Sequence, residues 1–547
     1  MNISRRDFLK LTGTALLSSA LGSWGLSGCR DKYAEFDFPV TVHRLSQKRG
    51  HHLLAALGGP QRHQNIDTLI VGTGIAALTC AWKLSKCGFH DYCLIELENQ
   101  IGGNCRCATY PESRAPWAAH YLPTPTKEAS STIELLEDLG LIKGYNGAGE
   151  PIYDELQLGH DPHERLFQQG RWYEGFFPSV SGDDDRAQLE QFQKTIADFT
   201  KQRDGKGRPP FTIPLCYSSE EARDLDRISM TEYMDRRGWT SYRLRWYVDY
   251  GCRDDFGTSL STTSAWAAIN YFAGRHTNRP GPEDALFTWP EGNAWFAEHI
   301  LALAQAPVKL NTLAYHIEED KREVRADCLD FETGVVTRYH AKHVIFAGHT
   351  FLRSYVIAGE PKYPSFTYCP WATANLTLRH LPKEQPGFPL CWDNVIYDSP
   401  TLGYVVATHQ SLSQKPDQPT VITWYRAYAE DSRVKRMRWK LLHRSAAAFK
   451  QEILDDLSVP HPDLPSLVTR MEVMLLGHAM IRPIPGLIWG EERRKAQQNR
   501  ERILFAHSDL SGMSWFEEAQ YHGVKAAETL LGRKGIKFSS SLLPVEG

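Results

Sequence analysis

Residues 67–103 read DTLIVGTGIAALTCAWKLSKCGFHDYCLIELENQIGG, and this stretch decides the fold. An apolar strand (Leu69, Ile70, Val71) runs into Gly72-x-Gly74-x-x-Ala77. A helical stretch follows, and a second strand from Tyr92 to Ile95 ends on Glu96. Each part has a physical task in holding a dinucleotide. Gly72 permits a tight turn, Gly74 lets the backbone approach a pyrophosphate, and small Ala77 lets the helix pack close to the sheet, its N-terminal amides facing the phosphates. Glu96 falls about 20 residues after the glycines, where a carboxylate accepts the ribose hydroxyls. A glycine loop alone is common by chance. Strand, loop, helix and acid in this order predict a dinucleotide-binding βαβ unit.

The residues after Glu96 narrow the choice of dinucleotide. In Gln100-Ile101-Gly102-Gly103-Asn104-Cys105-Arg106, the glycine pair stands six and seven residues past the acid. Far along the chain, residues 503–530 (ILFAHSDLSGMSWFEEAQYHGVKAAETL) combine a short strand, an acid at Asp509, a turn at Gly512 and a helix start near Ala519. Together these resemble the flavin-containing amine oxidase superfamily, over roughly residues 65–125, 285–360 and 470–535. The resemblance implies non-covalent FAD, held by Gly72, Gly74, Ala77, Glu96, Gly102, Gly103 and Arg106. It places Asp509 at the ribityl-phosphate region and starts a helix beneath the isoalloxazine. It also puts Val308, in the strand after FTWPEGNAWFAEHILALAQAP, at the adenine end, and makes HAKHVIFA (340–347) the strand that closes the cofactor domain's sheet. The absence of cysteine between Ala506 and Trp515 argues against a cysteinyl-flavin bond there.

The implied architecture is α/β: an FAD-binding Rossmann-like domain with an inserted α+β substrate domain, the two-domain plan shared by amine oxidases and p-hydroxybenzoate hydroxylase. Residues 65–125, 285–360 and 471–535 would form the cofactor domain. Residues 126–284, helix-rich, and 361–470, a mixed sheet, would form the substrate domain, with 536–547 as a tail. Ala187, Leu189, Phe192, Ile196 and Phe199 recur at helical spacing and predict core packing. Thr401 to Ala407 alternates like a strand.

The chain opens Met-Asn-Ile-Ser4-Arg5-Arg6-Asp7-Phe8-Leu9-Lys10, followed by a short apolar run ending Leu26-Ser27-Gly28-Cys29. This predicts an export signal over 1–29, and S-R-R-x-F-L-K matches the twin-arginine pattern, read by a translocase that accepts folded cargo. Leu-Ser-Gly-Cys resembles a lipoprotein processing box. It would anchor the protein to a membrane through a lipid on Cys29 and place it in the periplasm or cell envelope. A plain cleaved signal with an incidental Cys29 is the alternative. Residues 30–64, with scattered histidines and little periodicity, read as a tether, and no metal role is assigned. The net charge of −3 over 547 residues, without a polybasic block, gives no case for nucleic acid. Eleven cysteines in an exported chain raise the question of disulfides, but Cys80, Cys87 and Cys93 lie inside the βαβ unit and Cys105 and Cys107 flank Arg106 without metal-ligand spacing, so these read as structural.

Three segments should line the substrate side of the flavin. In Trp117-Ala118-Ala119-His120-Tyr121, His120 is the candidate for a group titrating near neutrality, with Tyr121 beside it, the alternative being a histidine fixed by backbone hydrogen bonds. Trp515 falls where relatives place a cage aromatic that can hold a cation, the alternative being a tryptophan packed only against the helix beneath. Asp254 and Asp255 either draw a polyamine or cap a helix. The lysine that many relatives hold near flavin N5 is missing: Arg353 and Tyr355 occupy that interval, and the first lysine is Lys362. The expected activity is hydride removal from a C–H bond beside an amine nitrogen, with an amine or polyamine as substrate. Two alternatives stay open: a desaturase or protoporphyrinogen-oxidase type of chemistry on an apolar substrate, and a flavoprotein without catalytic activity.

Overall fold

The computed structural model describes residues 32–44, 47–54, 58–179, 182–279, 285–411, 415–430 and 433–544. The leader, including Arg5, Arg6 and Cys29, lies outside them. The chain divides into two units, Met1–Asp37 and Phe38–Gly547. Of the first, the described residues form a turn closed by the Phe36 amide on the Tyr33 carbonyl at 3.1 Å. All that follows concerns the second.

Two large sheets carry that unit. The dinucleotide sheet has seven strands, in the order Val308–Lys309, Tyr92–Ile95, Arg62–Val71, Val336–Phe346, Val324–Asp330 and Thr312–Glu319, with Ile503–Phe505 also on Val336–Phe346. The four strands that feed the glycine loop and its neighbours run parallel, with Leu69 opposite Cys93 and Val344, and Val344 also opposite Ile503. Buried on both faces, they are near-continuous apolar runs, as parallel strands must be. Helix Ile75–Lys86 starts at Gly74 and buries every residue from Ile75 to Leu84. It is apolar all round because the sheet, the helix Ala294–Ala304 and the closing helix Phe516–Arg533 enclose it. Its one buried charge, Lys83, is neutralised by Glu528 at 3.4 Å and donates to the Ser539 carbonyl at 2.8 Å. The segment expected as a tail is thereby docked on the cofactor domain.

The second sheet has eight strands, in the order Val40–His43, Val468–Ile481, Tyr368–Leu378, Thr420–Ala427, Tyr404–Val406, Asp393–Ile396, Glu164–Gln168 and Arg171–Glu174. It is mixed, as expected, and helices Asp183–Lys201, Met230–Arg236, Tyr242–Phe256 and Ala265–Gly274 lie in the insert beside it. Phe192 is buried in that insert, with Leu189, Ile196 and Phe199 packed against the same cluster.

Three boundaries differ from the sequence reading. The tether expected over 30–64 is partly structure. Val40–His43 pairs in parallel with Met471–Met474 as an edge strand, and Arg62–Ile66 extends the first cofactor strand alongside Thr337–Ala341. The extension projects beyond the core, so its side chains are polar and carry no burial signature. The insert 126–284 is not purely helical, because the hairpin Glu164–Glu174 completes the substrate sheet. Val468–Ile481 belongs to that sheet throughout, so the return to the cofactor domain comes after Ile481 rather than at 471.

Candidate cofactor and substrate site

The glycine loop has the geometry its residues require. Gly72 adopts φ +110°, and a Cβ there would press on the Ala347 carbonyl oxygen at 3.3 Å. At Gly74 a Cβ would meet nothing within 4 Å, so the backbone presents an open cradle at the N-terminus of the helix. The remote glycine pair folds onto it. The Gly102 amide donates to the Thr73 carbonyl at 3.0 Å, and a Cβ on Gly103 would sit 3.3 Å from the Gly74 Cα. Gly102 and Gly103 have φ +108° and +58°, the left-handed region that glycine tolerates without strain. Glu96 ends its strand beside this loop, half-buried, accepting from the Thr73 amide and the Glu98 amide, each at 3.0 Å. Arg106 donates from Nε to the Gly103 carbonyl at 2.8 Å and faces Glu98 at 3.3 Å. Val308 pairs in parallel opposite Leu94, which sets the neighbouring strand against Glu96. Gly72, Gly74, Ala77, Glu96, Gly102, Gly103, Arg106 and Val308 thus converge on one end of the sheet. An open cradle at a helix N-terminus with a carboxylate beside it fits a dinucleotide.

Asp509 lies at the same end, on the short turn Ser508–Ser511 that follows the last strand. It is fully buried, and its Oδ2 accepts from the Tyr368 hydroxyl at 2.5 Å and the Thr350 amide at 2.9 Å. Helix Phe516–Arg533 then starts at Trp515 and crosses the first cofactor helix where Gly523 meets Ala76 and Thr79.

On the other side of the closing helix the structure assembles a cluster of aromatic and acidic groups. His120, Tyr121, Asp254, Tyr271 and Arg275 keep some accessible surface although all are withdrawn from bulk water. They are neighbours: the charges of Asp254, Asp255 and Arg275 act on Tyr121 and Tyr271, and His120 packs on Tyr425. Asp254 and Asp255 occupy the last turn of helix Tyr242–Phe256, so successive positions send them in different directions. Asp255 accepts from the Trp515 indole at 3.0 Å and faces Arg275 at 3.8 Å. Asp254 has no such partner; burial and the Asp255 charge push its carboxyl up to about 7. Burial brings Asp255 to about 6 against the pull of Arg275. Asp393, from the substrate sheet, accepts from the Tyr425 hydroxyl at 3.0 Å. Burial and then the Asp254 charge hold it well above the usual carboxylate range. The Tyr250 hydroxyl, also in this region, lacks a hydrogen-bond partner. Three carboxylates thus share the region with Arg275, whose guanidinium is already committed to Asp255 and, at 3.5 Å, to Glu517.

Two sequence expectations do not hold. His120 packs on Tyr425 at 5.1 Å with its Nε2 unpartnered, and burial pushes its imidazole down to about 4. It is therefore neutral across the physiological range instead of titrating near neutrality. Trp515 stands at the start of the closing helix as expected, but the Arg275 guanidinium lies 5.0 Å over its ring and Phe256 packs on it at 5.7 Å. That indole already carries a cation and is buried in the insert core. Tyr121 lies in the same cluster, edge-on to Trp392 at 5.6 Å. Arg353, in the interval of the missing lysine, is fully buried over Phe505 at 3.6 Å and donates to the Ala496 carbonyl, while Tyr355 points outward. Asp393 and Tyr425 escaped the sequence reading because nothing local distinguishes them from other strand residues. Among the described residues all ten cysteines are free.

Comparison with known proteins agrees with this geometry. Residues 70–139 match the NAD(P)-binding Rossmann-like domain family. A putrescine oxidase structure, a triple mutant from a structure-based redesign of cofactor binding, superposes with a TM-score of 0.63 at 14% identity, covering 86% of this chain and 100% of that one. Cyclohexylamine oxidase from Brevibacterium oxydans IH-35A gives 0.60 at 14% identity, with the same coverage of both chains. This is the two-domain amine-oxidase fold. The fold also hosts other chemistry: a CLA-producing fatty acid isomerase from P. acnes superposes with a TM-score of 0.59 at 16% identity, over 86% of this chain and 98% of that one. No curated protein matches the sequence.

Proposed function

We propose that the chain is an exported FAD-dependent oxidoreductase of the amine-oxidase type, acting on a C–H bond beside the nitrogen of an amine or polyamine. The observation that carries this reading is the acid- and tyrosine-rich cluster that meets the closing helix at Trp515 and Asp255. FAD, when bound, supplies the hydride acceptor that the polypeptide itself lacks. The chain's own residues do the rest. Gly74, the Gly102–Gly103 pair, Glu96 and Asp509 grip and orient the cofactor. Asp254 and Asp393, in their ionised forms, attract a cationic ammonium, and that attraction offsets part of the hydration the cation gives up. Tyr121, Tyr250, Tyr271 and Tyr425 exclude water and offer ring faces to the cation. Neutral His120 leaves its Nε2 free to make a hydrogen bond to the substrate.

The cluster's acids favour an amine over the wholly apolar substrate of a desaturase. The leader, with Arg5-Arg6 and Cys29, supports twin-arginine export and a lipid anchor in the cell envelope. Anaerobic titration of the purified full-length chain tests the reading. A diamine should bleach the flavin absorption band, and Asp393→Asn should raise the half-saturating concentration at least tenfold. Flavin that dithionite reduces but no amine bleaches would refute amine oxidation. A protein that carries no flavin would refute the cofactor assignment.

A further inference from the structure

Residues 432–451 read SRVKRMRWKLLHRSAAAFKQ and hold seven lysines and arginines without one acid. Apolar residues divide these cations, so the sequence shows no unbroken basic block. The fold sorts them. Helix Val434–Leu442 lies on the outside of the substrate sheet and buries Leu441. Arg438 is drawn inward on the same side, donating from Nε to the Gly477 carbonyl at 2.6 Å and from Nη2 to the Tyr368 carbonyl at 3.3 Å. At about 100° of turn per residue, Lys435, Arg436, Trp439, Lys440 and His443 share the opposite side, within roughly 140° of arc. All five are exposed.

The charge on this face is uncompensated. Lys435, Arg436 and Lys440 have no ion-pair or hydrogen-bond partner among the described residues. The acids of neighbouring segments are already taken: Arg426 holds Glu430 and Glu452, Arg444 meets Glu452 at 2.6 Å, and His43 faces Glu472 at 3.0 Å. Arg44 adds a further cation at the helix's C-terminal end, where it donates to the Leu442 and Arg444 carbonyls at 3.3 and 3.0 Å. Amid these cations stands Trp439, 62% exposed, with the His443 ring stacked on it at 4.4 Å. A single exposed apolar side chain needs no explanation. An exposed indole among unpaired cations is a different matter. Tryptophan, apolar in its body and polar at its N–H, prefers the headgroup level of a bilayer, and lysine and arginine are drawn to anionic headgroups there.

We propose that this face of helix Val434–Leu442 docks on a membrane surface that carries anionic phospholipid, with Trp439 at headgroup level and Lys435, Arg436 and Lys440 on the lipid phosphates. The place of the N-terminal strand favours a bilayer over other polyanions. Val40–His43, where the chain enters this unit, pairs with Met471–Met474 and ends on Arg44 against the same helix. Val40 is thus about 13 Å along a strand from that contact. A lipid anchor upstream of the strand, as proposed above, would tether the unit by this side, and the helix would add a second contact that fixes its orientation. The docking surface needs neither the flavin nor the lipid, since its charges and its indole belong to the folded unit itself.

The test is co-sedimentation with vesicles of phosphatidylcholine, alone or mixed with phosphatidylglycerol. The chain from residue 30 onward keeps the whole unit Phe38–Gly547 and removes the leader and Cys29, so neither can hold it to the vesicles. It should bind the mixed vesicles, leave phosphatidylcholine alone, and come off in about 1 M salt, where screening is nearly complete. Each basic residue near an anionic surface contributes about a fivefold factor in partitioning, so Lys435→Gln, Arg436→Gln and Lys440→Gln together should weaken binding on the order of a hundredfold. Trp439→Ala should weaken binding without changing its salt dependence. The equally charged control Lys194→Gln, Lys201→Gln and Lys321→Gln, on other faces, should bind as the unaltered chain does. Circular dichroism and thermal unfolding establish that all variants are folded. No binding to the mixed vesicles by the folded chain, or equal losses in the two triple variants, overturns the surface. Duplex DNA bound in preference to the vesicles overturns the lipid assignment and makes nucleic acid the partner. Flavin content, read separately from absorbance, reports on the cofactor assignment, so the two ideas fail independently.

Discussion

Asp254 concentrates the chemistry of the cluster in one carboxyl. Burial first, and the neighbouring Asp255 charge second, raise it to about 7, so in the free protein it is only partly ionised at neutral pH. A cation should bind the ionised form. A quaternary ammonium ligand keeps its charge at every pH, so any pH dependence of its binding comes from the protein. Its Kd should fall about tenfold per pH unit as pH rises toward 7 and level off above it. Asp254→Asn should bind it more weakly and flatten that profile. An unchanged slope in the variant would remove Asp254 from the cation site. The same shift governs stability. A carboxyl whose folded pKa lies above its unfolded value contributes its full stability below about pH 4 and loses it as pH rises through the folded pKa, here about 7. Asp254→Asn should therefore raise the melting temperature at pH 8, by a gain on the order of 1–3 kcal/mol, and change little at pH 4. Equal effects at both pH values would mean that the carboxyl is not held protonated by burial.

Among the elements, the two helices that flank the cofactor sheet's end depend on one close crossing. A Cβ on Gly523 would overlap the Ala76 carbonyl oxygen and Thr79 Oγ1. Alanine is a better helix former than glycine by about 1 kcal/mol, so propensity alone predicts that Gly523→Ala stabilises. The overlap is with backbone that cannot move without shifting the glycine loop, and overpacking of this kind costs about 1–3 kcal/mol. Gly523→Ala should lower denaturant-unfolding stability and weaken FAD binding together; a more stable variant with unchanged FAD affinity would show that the helices can part freely. The crossing also shows what the sequence made legible. The loop Gly72–Ala77, the acid Glu96 and the pair Gly102–Gly103 were readable because each works through its own backbone or at a fixed short spacing. Arg62–Ile66 was missed because a solvent-facing strand extension carries polar side chains, and Val40–His43 because four alternating residues, Val-Thr-Val-His, make too short a run to stand out. Asp393 was invisible for another reason: its role arises from sheet pairing that brings it near Asp254. Trp515 was placed correctly on its helix, but the direction of its ring depended on Arg275, a residue of the distant insert.

The molecule as a whole is interleaved, and this bears on the proposed export. Residues 62–71, 336–346 and 503–505 lie side by side in one sheet, while 40–43, 164–174, 368–378 and 468–481 share the other. The chain passes repeatedly between the sheets, so neither closes until nearly all of the polypeptide is available. Asp509 and the closing helix, which complete the cofactor cleft, come from its last part. Such a chain gains FAD only after synthesis is essentially finished, and bound ligand then stabilises it, by about 2.7 kcal/mol at a hundredfold excess over Kd. A route that threads an unfolded polypeptide would deliver it to a compartment without the cofactor. A translocase that accepts folded cargo avoids this, and S-R-R-x-F-L-K at residues 4–10 matches its signal. Arg5-Arg6→Lys-Lys should therefore trap a folded, flavin-loaded precursor inside the cell, recognisable by its larger mass and its flavin absorbance in the cytoplasmic fraction. Unaltered export of that variant would reject the twin-arginine assignment, whereas a trapped precursor that lacks flavin would separate export from cofactor loading and leave the folded route without its physical reason.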